Sequence, residues 1–67
     1  MTKEGFKRTG FRTGHNVFIN YKTMGKTKPI FIRTRFTILD ITETENDIIL
    51  RGDNISLLVC TIVEISS

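Results

Sequence analysis

The sequence predicts an all-β fold: one small, highly curved antiparallel barrel of five to six strands, with no substantial helix. Three observations carry that expectation. Ten Ile and ten Thr stand beside no Ala, Gln or Trp, and β-branched side chains suit a pleated surface better than a helix. Apolar residues recur with a period of two along most of the chain. Finally, 67 residues are too few for a two-sheet sandwich of about 100 residues.

The elements follow in order. Residues 5–13 are read as a first strand, behind a loose, disordered start at 1–4. The stretch GFKRTGFRTG repeats a Phe–Arg–Thr–Gly phrase, but Phe6 and Phe11 have opposite parity. On a straight strand the two rings face opposite ways. The repeat therefore reads as one bent strand with three cations rather than two copies of a site. Asn16 to Lys22 alternates, with Val17, Ile19 and Tyr21 on one side and Phe18, Asn20 and Lys22 on the other. TMGKTKP then supplies the turn signals Gly25 and Pro29.

Residues 30–41 form the longest strand pattern. Ile30, Ile32, Thr34, Phe36 and Ile38 share one face, and Phe31, Arg33, Arg35, Thr37 and Leu39 share the other. Ile41 falls out of register, which predicts a bulge near Leu39-Asp40. Thr42–Asn46 reads as a polar hairpin loop. Asp47–Arg51 is a strand with Ile48 and Leu50 inward, and Gly52-Asp53-Asn54 is a turn. The C-terminal ISLLVCTIVEI is apolar on both parities. It is read as a strand from Ile55 to Val59, a 3₁₀-like step at Cys60-Thr61, and a last strand ending at Ile65. That step lets Ile62 and Ile65 both face the core. Closure as a barrel of SH3, Sm or OB type is the expectation.

At this size folding buries only about 60% of the unfolded chain's surface, so the core is small. Cys60 has no partner for a disulfide, and one His with one Cys falls short of a zinc ligand set. No cofactor is expected. No apolar run approaches the ~18 residues of a membrane span, and no signal peptide is visible at the N-terminus. A cytoplasmic, membrane-free protein is therefore expected. Abundant Ile, Lys, Thr and Asn without Ala suggest AT-rich coding, and with it a low-GC bacterium or its phage as source.

Charge is distributed unevenly. Met1–Arg35 holds nine basic residues and one acid, Glu4, a balance of +8. Phe36–Ser67 holds one basic residue, Arg51, and six acids, a balance of −5. All six aromatics also lie at or before Phe36. A basic, aromatic half points to nucleic acid, with cations meeting phosphates and rings stacking on bases. Lys7, Arg8, Arg12, Arg33, Arg35 and Arg51 are the candidate cations, and Phe6, Phe11 and Phe31 the candidate rings. Two other readings stay open. Arg33 and Arg35 could pair internally with Glu45, Asp47 or Asp53. The charge asymmetry could instead serve a protein partner: a host protein bound by a phage or mobile-element accessory factor, or another copy of the chain in a homo-oligomer.

IILRGDNISLL, residues 48–58, resembles the second motif of Sm-like RNA-binding proteins, in which a strand ends in Arg-Gly-Asp/Asn and a short final strand follows. The resemblance implies that Arg51 and Gly52 line an RNA pocket, with Asp53 and Asn54 beside them. It covers eleven residues. The family's first motif, Asp followed three and four residues later by Met and Asn, is missing, since Asp40 is followed there by Glu43 and Thr44. The family's N-terminal helix is not predicted either.

Other motifs carry less. Gly25-Lys26-Thr27 ends like a P-loop, but Asn20 stands where the first Gly is needed and a strand follows where a helix should. Arg51-Gly52-Asp53 spells the integrin tripeptide, here in turn composition. His15 lies in a Gly-His-Asn turn with no second His to activate a nucleophile, and Glu43 and Glu45 sit in a polar loop. A non-enzymatic binding module is expected.

Overall fold

The computed structural model describes residues 1–67. It is mostly β: two three-stranded antiparallel sheets and one short N-terminal helix. The first sheet has the order β2-β1-β6, from Pro29–Thr37, Asn16–Met24 and Ile62–Ser66. The second has the order β3-β4-β5, from Asp40–Glu43, Ile48–Arg51 and Ser56–Leu58. The strands number six, but the two sheets do not join into a closed barrel. No helix is long and apolar enough to cross a membrane.

Residues 5–13 are not a strand. Lys3–Thr9 forms a helix, α1, which corrects the first element; at seven residues it is the one short helix of the fold. The reason is local. Thr2 is extended, and its hydroxyl accepts the Gly5 N–H at 3.0 Å, capping the helix start. Glu4 sits in the first turn and Lys7 and Arg8 in the last, as the helix dipole favours. Gly10 ends the helix at φ 75°, a left-handed conformation that glycine adopts without strain. The first residues also make contacts beyond the helix. The Met1 ammonium donates to the Ile62 carbonyl, and Lys3 reaches the Thr44 carbonyl at 2.6 Å.

The long 30–41 pattern is likewise two strands rather than one with a bulge. β2 ends at Thr37, β3 begins at Asp40, and the two residues between them change partners. The Ile38 N–H bonds the His15 carbonyl beside β1, while the Leu39 N–H bonds the Arg51 carbonyl at the end of β4. The chain therefore passes from one sheet to the other across a single peptide step. At the other end, the 3₁₀ turn Val59–Thr61 turns β5 into β6, which pairs back on β1.

Between the sheets lies one core: Phe6, Val17, Ile19, Phe36, Ile38, Ile48, Leu50, Leu57, Val59 and Ile62. The inward readings of Ile48, Leu50 and Ile62 hold, Val17 and Ile19 share the core side of β1, and Ile65 packs against the core half-buried. Ile30 and Ile32 share the parity of Phe36 but stay exposed, because the hairpin outruns the core.

Two expected outcomes arise from this packing. Gly52 is buried, and a Cβ there would meet Cε2 and Cζ of Phe36 at 2.8 Å. Gly52→Ala should therefore cost about 1–3 kcal/mol through overpacking, read as a lower urea midpoint; an unchanged midpoint would show that the Phe36 ring yields freely.

The second outcome concerns the helix. Glu43 at the end of β3 receives Lys3 at 2.8 Å and Lys7 at 2.9 Å. The hydrogen bonds from Lys3 and Lys7 lower its carboxyl to about 2. A depressed carboxylate stabilises the fold above its unfolded value and loses that contribution as pH falls through the folded value, here from about 4.5 to about 2. The native chain should thus lose more melting temperature across that window than Glu43→Gln, which lacks the charge throughout. Equal losses would exclude the clamp.

Candidate nucleic-acid interface

The site is built by the β1–β2 hairpin. Its ladder runs from Asn16↔Thr37 to Met24↔Pro29, closed by a turn in which the Gly25 N–H bonds the Lys28 carbonyl at 3.0 Å. With a period of two, one face takes Val17/Phe36 and Ile19/Thr34 to the core. The opposite face takes Phe18/Arg35, Asn20/Arg33, Lys22/Phe31 and Met24/Pro29 to the outside. Residues 16–37 carry five cations and no carboxylate.

Phe31, Arg33 and Arg35 share this outer face, as the alternation predicts. Phe18, which the sequence reading left out of the candidate site, stands beneath both guanidinium groups, with Arg33 at 5.7 Å and Arg35 at 5.5 Å from its ring centroid. The ring attracts each cation through its quadrupole and holds two like charges side by side. Neither Arg33 nor Arg35 forms an ion pair, so the anticipated partners Glu45, Asp47 and Asp53 do not neutralise them. The carboxylate facing outward beside them is Glu64 on β6, cross-strand from Asn20. Phe18 is capped by its two arginines, whereas Phe31, 64% exposed, offers a free ring.

A groove of about 510 Å³ adjoins this face. Phe18, Arg35 and Thr37 line one wall, and Asp53, Asn54 and Ile55 of the β4–β5 turn line the other. It sets the β4–β5 turn beside Arg35, with that cation on one side and the Asp53 carboxylate and Asn54 amide on the other.

The remaining candidates are placed elsewhere. Phe6 is core. Lys7 is tied to Glu43, and Arg8 is exposed near the end of α1. Phe11 packs half-buried against the core, edge-on to His15 with centroids 5.8 Å apart. Arg12 is exposed in the following turn, where its N–H bonds His15 Nδ1 at 2.9 Å. Arg51 closes β4 with its Nε 3.9 Å from Asp40, and Gly52 is occupied by packing on Phe36. The structure thus gathers Phe31, Arg33 and Arg35 with Phe18 and Lys22, and leaves Lys7, Arg8, Phe11, Arg12 and Arg51 apart from them. The hairpin register is the signal for Phe18: a turn at Gly25–Lys28 sets Phe18 opposite Arg35.

Beyond this face the reactive groups are scattered. Asp47 Oδ1 accepts the Ile48 and Cys60 N–H groups at 2.8 and 3.2 Å. A hydrogen bond with the Cys60 side chain lowers the Asp47 carboxyl further, and the same contact pushes the Cys60 thiol up, which disfavours the nucleophilic thiolate. No three His, Cys, Asp or Glu side chains come together as a metal site would need. Comparison with known proteins adds no family: no family model, curated protein or solved structure matches the chain.

Proposed function

We propose that this chain is a small non-enzymatic module that binds nucleic acid through the outer face of its β1–β2 hairpin. The observation that carries the reading is the pair Arg33 and Arg35, held over Phe18 without ion-pair partners, on a hairpin with five cations and no carboxylate. Arg33, Arg35 and Lys22 meet phosphates, and Phe31 stacks or packs against bases or sugars. Arg35, Asp53 and Asn54 offer polar groups to whatever enters the adjoining groove.

The proposal extends to the framework. β2 running into β3 across the sheets, and a 3₁₀ turn returning β6 to β1, support a small SH3- or Sm-type barrel whose two halves are these sheets. The helix α1 removes one of the departures from the Sm-like pattern, although the missing first motif stands.

Titrating fluorescently labelled single- and double-stranded DNA and RNA tests the reading. Binding should be measurable at ~50 mM salt and fall steeply towards ~200 mM; no binding at the lower salt would sink it. A protein-partner reading has its own support in Leu58 and Val63, which are 45% and 58% exposed on the last two strands. Mass measurement in solution addresses the self-associating form of that reading, which predicts a concentration-dependent oligomer.

A further inference from the structure

The end of the hairpin stands outside the domain. β6 pairs with β1 only from Phe18 to Tyr21. Beyond that point, Lys22–Met24 bond only to Pro29–Phe31, as a two-stranded ribbon free on both faces. Every residue from Lys22 to Arg33 except Gly25 is exposed. A bare two-stranded ribbon is marginal in water, yet this one displays Met24 (75% exposed), Phe31 and Ile30. Exposed apolar side chains of this size, grouped on one projection, mark a contact surface.

The position of the charges selects the occupant. Lys26 and Lys28 lie in the apical turn and Lys22 lies at the base; Met24 and Ile30 lie between them, and Phe31 stands cross-strand from Lys22. Insertion into a bilayer would place the two apical lysines deepest in hydrocarbon, which is costly. A nucleic-acid groove has the matching order: phosphates on each rim and base edges between. From Tyr21 to Met24 the ribbon advances three residues, about 10 Å at 3.3 Å per residue. The major groove of B-form DNA is about 12 Å wide and admits a two-stranded ribbon. The major groove of an RNA duplex is too narrow and deep for side-chain reading.

We infer that the ribbon end, Lys22 to Phe31, lies in the major groove of double-stranded DNA. Lys26 and Lys28 contact the far phosphate strand, Lys22 contacts the near one, and Met24 and Phe31, which share the outer face, rest against base edges. This inference rests on the nucleic-acid reading above and names its substrate class. Arg33 and Arg35, further back, meet the same backbone as Lys22.

The test uses the full chain with a DNA duplex of about 20 base pairs, the RNA duplex and single strand of the same sequence, and anionic phospholipid vesicles. The expected results are tighter binding to the DNA duplex than to the other three, and protection of guanine N7 from dimethyl sulfate, since N7 lies in the major groove. Lys26→Ala/Lys28→Ala should keep its circular dichroism and lower the slope of log affinity against log salt by about two. Protection of adenine N3 in place of guanine N7, equal affinity for the RNA duplex, or an unchanged salt slope would each overturn the groove inference. So would capture by the vesicles without duplex binding. The two claims separate cleanly: if Arg33→Glu/Arg35→Glu abolishes binding while the lysine variant matches the native chain, the outer-face reading stands and the groove inference falls. If no nucleic acid is bound at low salt, the reading itself has failed.

Discussion

Arg33→Glu/Arg35→Glu is expected to reduce nucleic-acid affinity by at least about two orders of magnitude at ~0.1 M salt. Each lost phosphate contact removes about 0.9 from the salt slope, which is roughly an eightfold loss per contact at that concentration; two contacts give about sixtyfold, and the new carboxylates add repulsion. The change also takes the hairpin's five positive charges down to a balance of +1. Folding should survive, because both side chains are exposed and neither forms an ion pair. Arg8→Glu/Arg12→Glu is the matched control. It makes the same change in net charge on α1 and the following turn, away from the outer face, and should weaken binding far less. Equal losses from the two pairs would mean that total charge, not the Phe18-supported arginine pair, governs binding.

Leu50→Ala is expected to have the largest effect on stability. Leu50 is fully buried at the centre of β4, opposite Ile41 on one side and Leu57 on the other. Removing such a side chain costs about 2–5 kcal/mol in lost burial and residual cavity. A domain of this length has roughly 3–10 kcal/mol in total, so the variant should be largely or wholly unfolded near physiological temperature. Leu58→Ala, next to the core residue Leu57 but 45% exposed, should lose under about 1 kcal/mol. Chemical denaturation of both variants checks the contrast, and similar midpoints would contradict the assigned core.

How far the sequence reveals this fold depends on the range of the interactions involved. Alternation groups Val17 with Ile19 and marks Ile48 and Leu50 as inward because a half-buried strand imposes a period of two directly on its residues. The 3₁₀ step before the last strand is legible for the same reason: Ile62 and Ile65 make sense only if the period is broken. The helix α1 is obscured by the doubled Phe–Arg–Thr–Gly phrase, which suggests a strand and its turn. Its own signals are present, namely a capping Thr2, Glu4 early, Lys7 and Arg8 late, and Gly10 after the end. They are weak because a seven-residue helix gains most of its stability from packing Phe6 into the core. The passage from β2 to β3 depends on backbone bonds to His15 and Arg51, distant in sequence, so composition suggests only an irregularity near Leu39.

The candidate site divides in the same way. Phe31, Arg33 and Arg35 share a parity and can be grouped from one strand alone. Phe18 belongs with them only through cross-strand register, and the loss of Lys7 to Glu43 depends on where the helix lands. The charge halves of the sequence prove to be a coarse guide. Within the basic half, α1 spends two cations on one carboxylate, whereas the hairpin leaves its cations unpaired.

The most direct measurement is mapping of amide chemical shifts in the isotopically labelled chain as a DNA duplex is added at low salt. The account predicts that the largest changes cluster on the β1–β2 hairpin, on Phe18, Asn20, Lys22, Phe31, Arg33 and Arg35 and on Met24, Lys26 and Lys28 at its end, with α1 and Arg51 little affected. Changes centred on α1 and Arg51, or none at any concentration of duplex, would contradict it.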